Sequence, residues 1–193
     1  MKRLMKSFSR NVVDDLANAL VENLKYCDQS VDYPNIDSVK ADDGVVAEWF
    51  YPIYNGTNSF SELNAILTYT AQEAKFEEIG ELMLGIGLVE MKHYGKLGEL
   101  ILKLGGKIEQ KFNNINAEPG ENVAKAIKIA IEAERKTIDF YTTLTKKIEN
   151  VEQTETTTTV LQLIAKLIAD EKVHMKLLNE YWNFLGYKED EEE

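Results

Sequence analysis

The chain holds only two histidines in 193 residues, and each follows a glutamate by three positions. The two segments are Glu90-Met91-Lys92-His93 and Glu171-Lys172-Val173-His174. On a helix such a pair shares one face, so a carboxylate and an imidazole can reach a common point. The chemistry that fits is ligation of a divalent metal by mixed oxygen and nitrogen donors. A lone Glu-x-x-His is more often a solvated helix surface, so the surroundings decide.

Those surroundings are apolar. At about 100° per residue, Ile164, Leu167, Leu178 and Trp182 fall within about 60° of Glu171. Glu90 lies in the same way among Met83, Ile86, Leu97 and Ile101, and Glu134 among Ile127, Ala130, Ile138 and Tyr141. Glu132, by contrast, points to the opposite side of its helix. Three carboxylates are thus aimed into a core, where an unpaired charge is costly. No lysine or arginine shares these stripes. Two divalent metal ions are the economical compensation.

The elements that must position these residues are helical. Periodicity predicts helices over about 58–76, 78–105, 121–150 and 156–186, preceded by one over 11–27 and a short one near 45–51. Pro34, Pro52 and Pro119 all fall outside the strongly periodic segments. The stretch from Gly105-Gly106 to Pro119-Gly120 is long enough to run the length of a helix. An internal repeat links the second and fourth bundle helices. Glu90-x-x-His93-x-x-x-Leu97-x-Glu99, ending in Leu104-Gly105, matches Glu171-x-x-His174-x-x-x-Leu178-x-Glu180, ending in Leu185-Gly186. Glu62 with Tyr69 and Glu134 with Tyr141 repeat a seven-residue spacing on the other two helices.

The expected fold is therefore all-α: a four-helix bundle of two repeated hairpins joined by a long crossover. Residues 1–55 form an N-terminal helix and loop-rich extension packing on it, 56–187 the bundle, and 188–193 a solvated acidic tail.

Register selects the fourth glutamate. In an antiparallel hairpin, partners at one level are equidistant from the turn. Glu134 with Glu171 puts that turn near residue 152, and Glu62 with Glu90 puts it near 76, both inside predicted turns. Glu73 shares a face with Glu62, but its midpoint with Glu90 falls near 81, beyond the turn. The candidate metal ligands are thus Glu62, Glu90, His93, Glu134, Glu171 and His174. Ser59-Phe60-Ser61-Glu62 also reads as a capping box, which would make Glu62 a helix cap instead. Tyr69 and Tyr141 read as core tyrosines in need of a hydrogen-bond acceptor, for which a ligating carboxylate would serve. Asp170, beside Glu171, either supports a histidine or faces solvent.

Composition narrows the class. With 44% apolar and 28% charged residues the chain is an ordinary globular one. Its single cysteine, Cys27, excludes a disulfide framework and a cysteine-based zinc or iron–sulfur cluster. A net charge of −11 argues against nucleic acid or an anionic membrane as partner. Five of those charges sit in Glu189–Glu193 and four more in the inward glutamates, leaving the remaining surface near balance. The basic start, Met1 to Lys6, is followed by no apolar run, and Leu82–Val89 is too short to span a bilayer. A cytoplasmic protein is expected.

The ordered set Glu62, Glu90-x-x-His93, Glu134, Glu171-x-x-His174 resembles the ferritin-like superfamily over about residues 55–187. Ser61–Ala65, Val89–His93 and Asp170–His174 look most like its rubrerythrin-related and manganese-catalase-related members. The resemblance implies a ferritin-like bundle holding a dinuclear iron or manganese centre. Glu90 and Glu171 would bridge or chelate, with one histidine on each metal. The implied activity is that of an oxidoreductase acting on hydrogen peroxide or dioxygen, of peroxidase, catalase or ferroxidase type. It also implies a homo-oligomer and, for iron, a separate electron donor. Ferritin-like iron storage and a non-catalytic helical assembly module are the alternatives. Two features depart from rubrerythrins: Thr137 replaces a second glutamate on the third helix, and one cysteine cannot supply their rubredoxin module.

Overall fold

Three of the four main helices open where a side chain takes up a free amide of the first turn. In the computed structural model, which describes residues 25–41, 44–56, 58–108, 115 and 117–187, Ser61 caps α1 (Glu62–Lys75) by accepting from Asn64 N. Asn122 caps α3 (Val123–Glu149) through Lys125 N. Thr154 caps α4 (Glu155–Phe184) in a reciprocal capping box with Thr157. Between α1 and α3 lies α2 (Gly80–Lys103), entered through a single tight turn at Glu77–Ile79. The repeated Leu-Gly endings have one physical cause. Gly105 and Gly186 take φ values of 78° and 77°, a left-handed conformation that stops the helix without a side-chain clash.

The four helices form the two predicted hairpins, α1 along α2 and α3 along α4, joined by the long crossover after α2. All regular elements among the described residues are helical. Three elements differ from the expected bounds. The helix predicted from residue 58 starts at Glu62, because Asn58–Ser61 is a turn in which Ser61 Oγ donates to Asn58 O at 2.9 Å. The helix predicted over 11–27 lies outside the described residues up to 24, and Lys25–Cys27 is turn rather than helix. The short helix expected near 45–51 is a helical turn at Ala47–Trp49 followed by Tyr51–Tyr54. The acidic tail lies outside the described residues.

Two apolar cores lie toward opposite ends of the bundle. One joins Phe50, Ile53 and Tyr54 to Leu97, Leu100, Leu144 and Leu163. The other joins Tyr26, Ile79, Met83, Ile86, Ile127 and Trp182. Residues 25–41 run across α2 and α4 as a strap. The Tyr26 ring fits against Gly85, where a Cβ would fall 2.0 Å from it, and Lys40 N donates to Thr156 Oγ1 at 2.9 Å. Gly98 similarly makes room for Tyr54, so close packing accounts for two of the four glycines flanking Glu90 and His93. Among the described residues, no helix is long and apolar enough to cross a membrane.

Candidate metal centre

All six candidate ligands converge between the two apolar cores, none more than 2% exposed. They form two overlapping groups. Glu62, Glu90, His93 and Glu171 offer ligand atoms within 4.8 Å of one another, and so do Glu90, Glu134, Glu171 and His174. Glu90 and Glu171 belong to both. Their helices carry them there by the same step: glutamate and histidine three residues apart on α2 and again on α4, with one glutamate each from α1 and α3.

Both imidazoles turn Nδ1 inward. His93 Nδ1 lies 3.1 Å from Glu90 Oε2, 3.2 Å from Glu171 Oε1 and 3.5 Å from Glu62 Oε2. His174 Nδ1 lies 3.0 Å from Glu90 Oε1, 3.0 Å from Glu171 Oε2 and 3.4 Å from Glu134 Oε2. The ring centroids stand 6.0 Å apart. Glu90 Oε1 and Glu171 Oε1 accept no hydrogen bond from the described residues despite this crowding. Buried oxygens with free lone pairs facing a shared centre are what a cation would satisfy. Four carboxylates and two imidazoles, with no lysine or arginine among them, match two divalent ions in charge as well.

The outer glutamates are held by tyrosines from the opposite hairpin. Tyr69 on α1 donates to Glu134 on α3, and Tyr141 on α3 donates to Glu62 on α1. Burial, together with the adjoining Glu134 or Glu62 carboxylate, pushes both phenols well above their usual pKa. They stay protonated and remain donors. Glu62 is thus the first residue of its helix but does not cap it; Ser61 does, and the Glu62 side chain turns into the core. Thr137 donates to Phe60 O at 2.8 Å and Ala133 O at 3.1 Å. Glu132 faces outward, paired with Arg135 at 2.6 Å and Lys136 at 3.1 Å.

Without metal the cluster is balanced by protons. Burial and the neighbouring Glu90 push Glu62 up to about 8. Burial, with Glu90 and Glu134 beside it, raises Glu171 well above the carboxylate range. Glu90 goes the other way: burial disfavours its charge, but the His174 and His93 imidazoles outweigh that and hold it low. Burial would likewise keep both rings neutral, yet the groups packed around them, Tyr33, Glu171, Glu62 and Asp170 about His93 and Glu134, Glu90 and Glu171 about His174, raise both well above the usual histidine value.

Behind His93 lies a second polar layer. His93 Nε2 is 3.1 Å from Asp170 Oδ2, so Asp170 does support a histidine, but the one on α2 rather than its own helix neighbour. Asp170 also receives Tyr33 Oη at 2.7 Å, Lys166 Nζ at 2.7 Å and Asp28 N at 2.7 Å. Burial would raise its pKa, but His93, Lys166 and Tyr33 bring it down to about 2. Lys166 is itself buried and donates to Asp28 O at 2.6 Å. Tyr33 and Lys166 lie outside the apolar helical stripes, because they act on the face of α4 that the strap covers. Lys166 had one legible signal, its i,i+4 spacing to Asp170; Tyr33 had none.

A cleft of about 700 Å³ opens between α1 and α3, lined by Asn64, Thr68, Tyr69, Lys125, Ile129 and Glu132. Through Tyr69 it adjoins the Glu134 side of the centre.

Comparison with known proteins places this geometry. A crystal structure of KatB, a manganese catalase from Anabaena PCC7120, matches with a TM-score of 0.63 at 18% sequence identity, covering 82% of this chain and 80% of that one. At that identity the likeness is one of fold. No curated protein matches the chain. Residues 61–183 match the ferritin-like domain, a span that contains both hairpins and all six inward ligand candidates, and the chain belongs to the ferritin-like family.

Proposed function

We propose that the chain is a dinuclear iron or manganese oxidoreductase acting on hydrogen peroxide or dioxygen. The observation that carries this reading is the pair of overlapping donor sets joined through Glu90 and Glu171. Glu62 and His93 serve one position, Glu134 and His174 the other, and the two shared carboxylates lie between them. Two redox-active divalent ions bound there would exchange electrons with an O–O bond.

The protein's part is to hold and shield. Tyr69 and Tyr141 keep the outer glutamates in place, and the carboxylates can shift between one-oxygen and two-oxygen contact as charge changes. The apolar layers above and below exclude bulk water from the centre. The α1–α3 cleft is the approach for a small substrate. Membership of the ferritin-like family and the fold likeness to a manganese catalase support the reading. With manganese, two molecules of peroxide would become two of water and one of dioxygen, with no outside reductant. With iron, the electrons would come from Fe(II) itself, in a ferroxidase, or from a separate electron donor. The outward apolar residues Leu84, Met91 and Leu102 of α2 are the surface a second copy would cover in a homo-oligomer.

Metal analysis of the purified protein beside a peroxide assay tests this. Two equivalents of manganese with oxygen release would establish the catalase form; two of iron, with peroxide consumed only when a reductant is added, the peroxidase form. A large shell on size-exclusion chromatography that takes up mineral would point to storage instead. Metal-free protein whose stability is unchanged by Glu90→Ala would leave only a non-catalytic helical module.

A further inference from the structure

The repeat gives each histidine a glutamate three residues before it and a leucine four residues after it, but it does not extend to the residue in front of that glutamate. Asp170 precedes Glu171 in the second hairpin, and Val89 precedes Glu90 in the first. Asp170 reaches across the bundle to the outer nitrogen of His93. Val89, fully buried, stands at the matching step of α2 and has no polar atom to offer in return. Accordingly, the outer nitrogen of His174 is buried and has no hydrogen-bond partner among the described residues.

We infer that the two metal positions are unequal: the His93 half (Glu62, Glu90, His93, Glu171) fills first and more tightly, with Asp170 as its positioning residue. This rests on the dinuclear reading above. An imidazole that donates its Nε2–H to a carboxylate is fixed in the tautomer whose Nδ1 lone pair faces the cation, and its basicity rises. His93 Nε2, 3.1 Å from Asp170 Oδ2, is placed for this, and Asp170 is locked for the task by Tyr33, Lys166 and the Asp28 amide. His174 must present the same lone pair while burying an Nε2–H that no described residue accepts. Outer partners of ligating histidines are commonly worth about 10–100-fold in metal affinity.

The strap is part of this device. Tyr33 also lies beneath two ammonium groups, Lys92 at 4.0 Å and Lys166 at 4.9 Å from its ring centroid. The segment therefore does more than cover the bundle: it supplies two of the four donors on Asp170, Tyr33 Oη and Asp28 N, and only on the His93 side.

Because the chain has two histidines, ¹⁵N-histidine labelling of the full-length protein reports on these two rings alone. The metal-free protein would be titrated with Zn(II), a diamagnetic probe, with resonances assigned through His174→Gln. The expected result is that His93 shifts over the first equivalent and His174 over the second, with affinities about 10–100-fold apart. Asp170→Asn should weaken the first step and leave the second. Tyr33→Phe, which removes one donor and no buried charge, should do the same by a smaller factor and guards against misfolding of Asp170→Asn. If His174 shifts first, if both rings shift together, or if neither variant alters the gap, the inference fails while two bound equivalents keep the dinuclear reading. If no zinc, manganese or iron binds, both fail.

Discussion

The His93 and His174 halves of the centre are alike where they face the cation position and unlike behind it. Each offers one private glutamate, two shared glutamates and an inward Nδ1. Each private glutamate receives a tyrosine hydroxyl from the opposite hairpin. Behind His93, however, stand Asp170, Tyr33 and Lys166; the outer nitrogen of His174 has no partner among the described residues. The inward layer comes from helices that repeat one pattern, so it inherits their symmetry. The outer layer draws on the strap of residues 25–41, which lies outside the repeat and braces one histidine alone. A symmetric donor set can thus be given asymmetric support by a segment that merely packs on one side.

Removing a shared carboxylate should break both halves at once and have the largest effect. Glu171→Ala is expected to bring bound metal below one equivalent, whereas Glu62→Ala or Glu134→Ala should each spare the opposite position. Metal content after equilibrium dialysis separates these outcomes.

A pH series on metal-free and metal-loaded protein comes next. Glu62, Glu171, His93 and His174 all have folded pKa values above their usual ones. Each keeps a proton that the unfolded chain has already released, so stability falls as pH rises through the interval. For Glu62 that interval runs from the ordinary carboxylate range to about 8. Metal-free protein should therefore melt at lower temperature at pH 8 than at pH 5. Metal-loaded protein should show the opposite slope, because ligand protonation expels the ions. Parallel slopes in the two forms would contradict the assignment of these residues as ligands.

The tyrosine pair measures how alike the inward layers are. Tyr141→Phe and Tyr69→Phe should each cost about 1–3 kcal/mol in chemical denaturation, since each leaves a buried carboxylate short of a donor. Similar costs would mean that the symmetry extends to the outer glutamates; a large difference would move the asymmetry inward. The smallest effect is expected at Glu132, whose partners are exposed. Glu132→Gln should change stability by no more than about 0.5 kcal/mol and leave metal content untouched.

Much of this was legible in the residues. The two Glu-x-x-His steps, the apolar stripes and the turn midpoints were enough to bring Glu62, Glu90, Glu134 and Glu171 to one level, because helical periodicity converts spacing into direction. The rival role for Glu62 as a cap arose because Ser59 and Ser61 both precede it. Which serine caps depends on where the chain enters the helix, a matter of packing. The destination of Asp170 was equally open. It sits at the edge of the α4 stripe, and only the crossing of α2 and α4 decides that it meets His93.

By itself the sequence determined the helices, their pairing into hairpins and the convergence of six carboxylate and imidazole side chains, since all of these follow from local periodicity repeated twice. Tertiary structure alone decided the second layer: Tyr33, the Asp28 backbone and Lys166 reach Asp170 from a segment with no regular structure and from a helix face that looks solvated in sequence. Contacts of that kind depend on where a long loop comes to rest, and residue spacing carries no record of it.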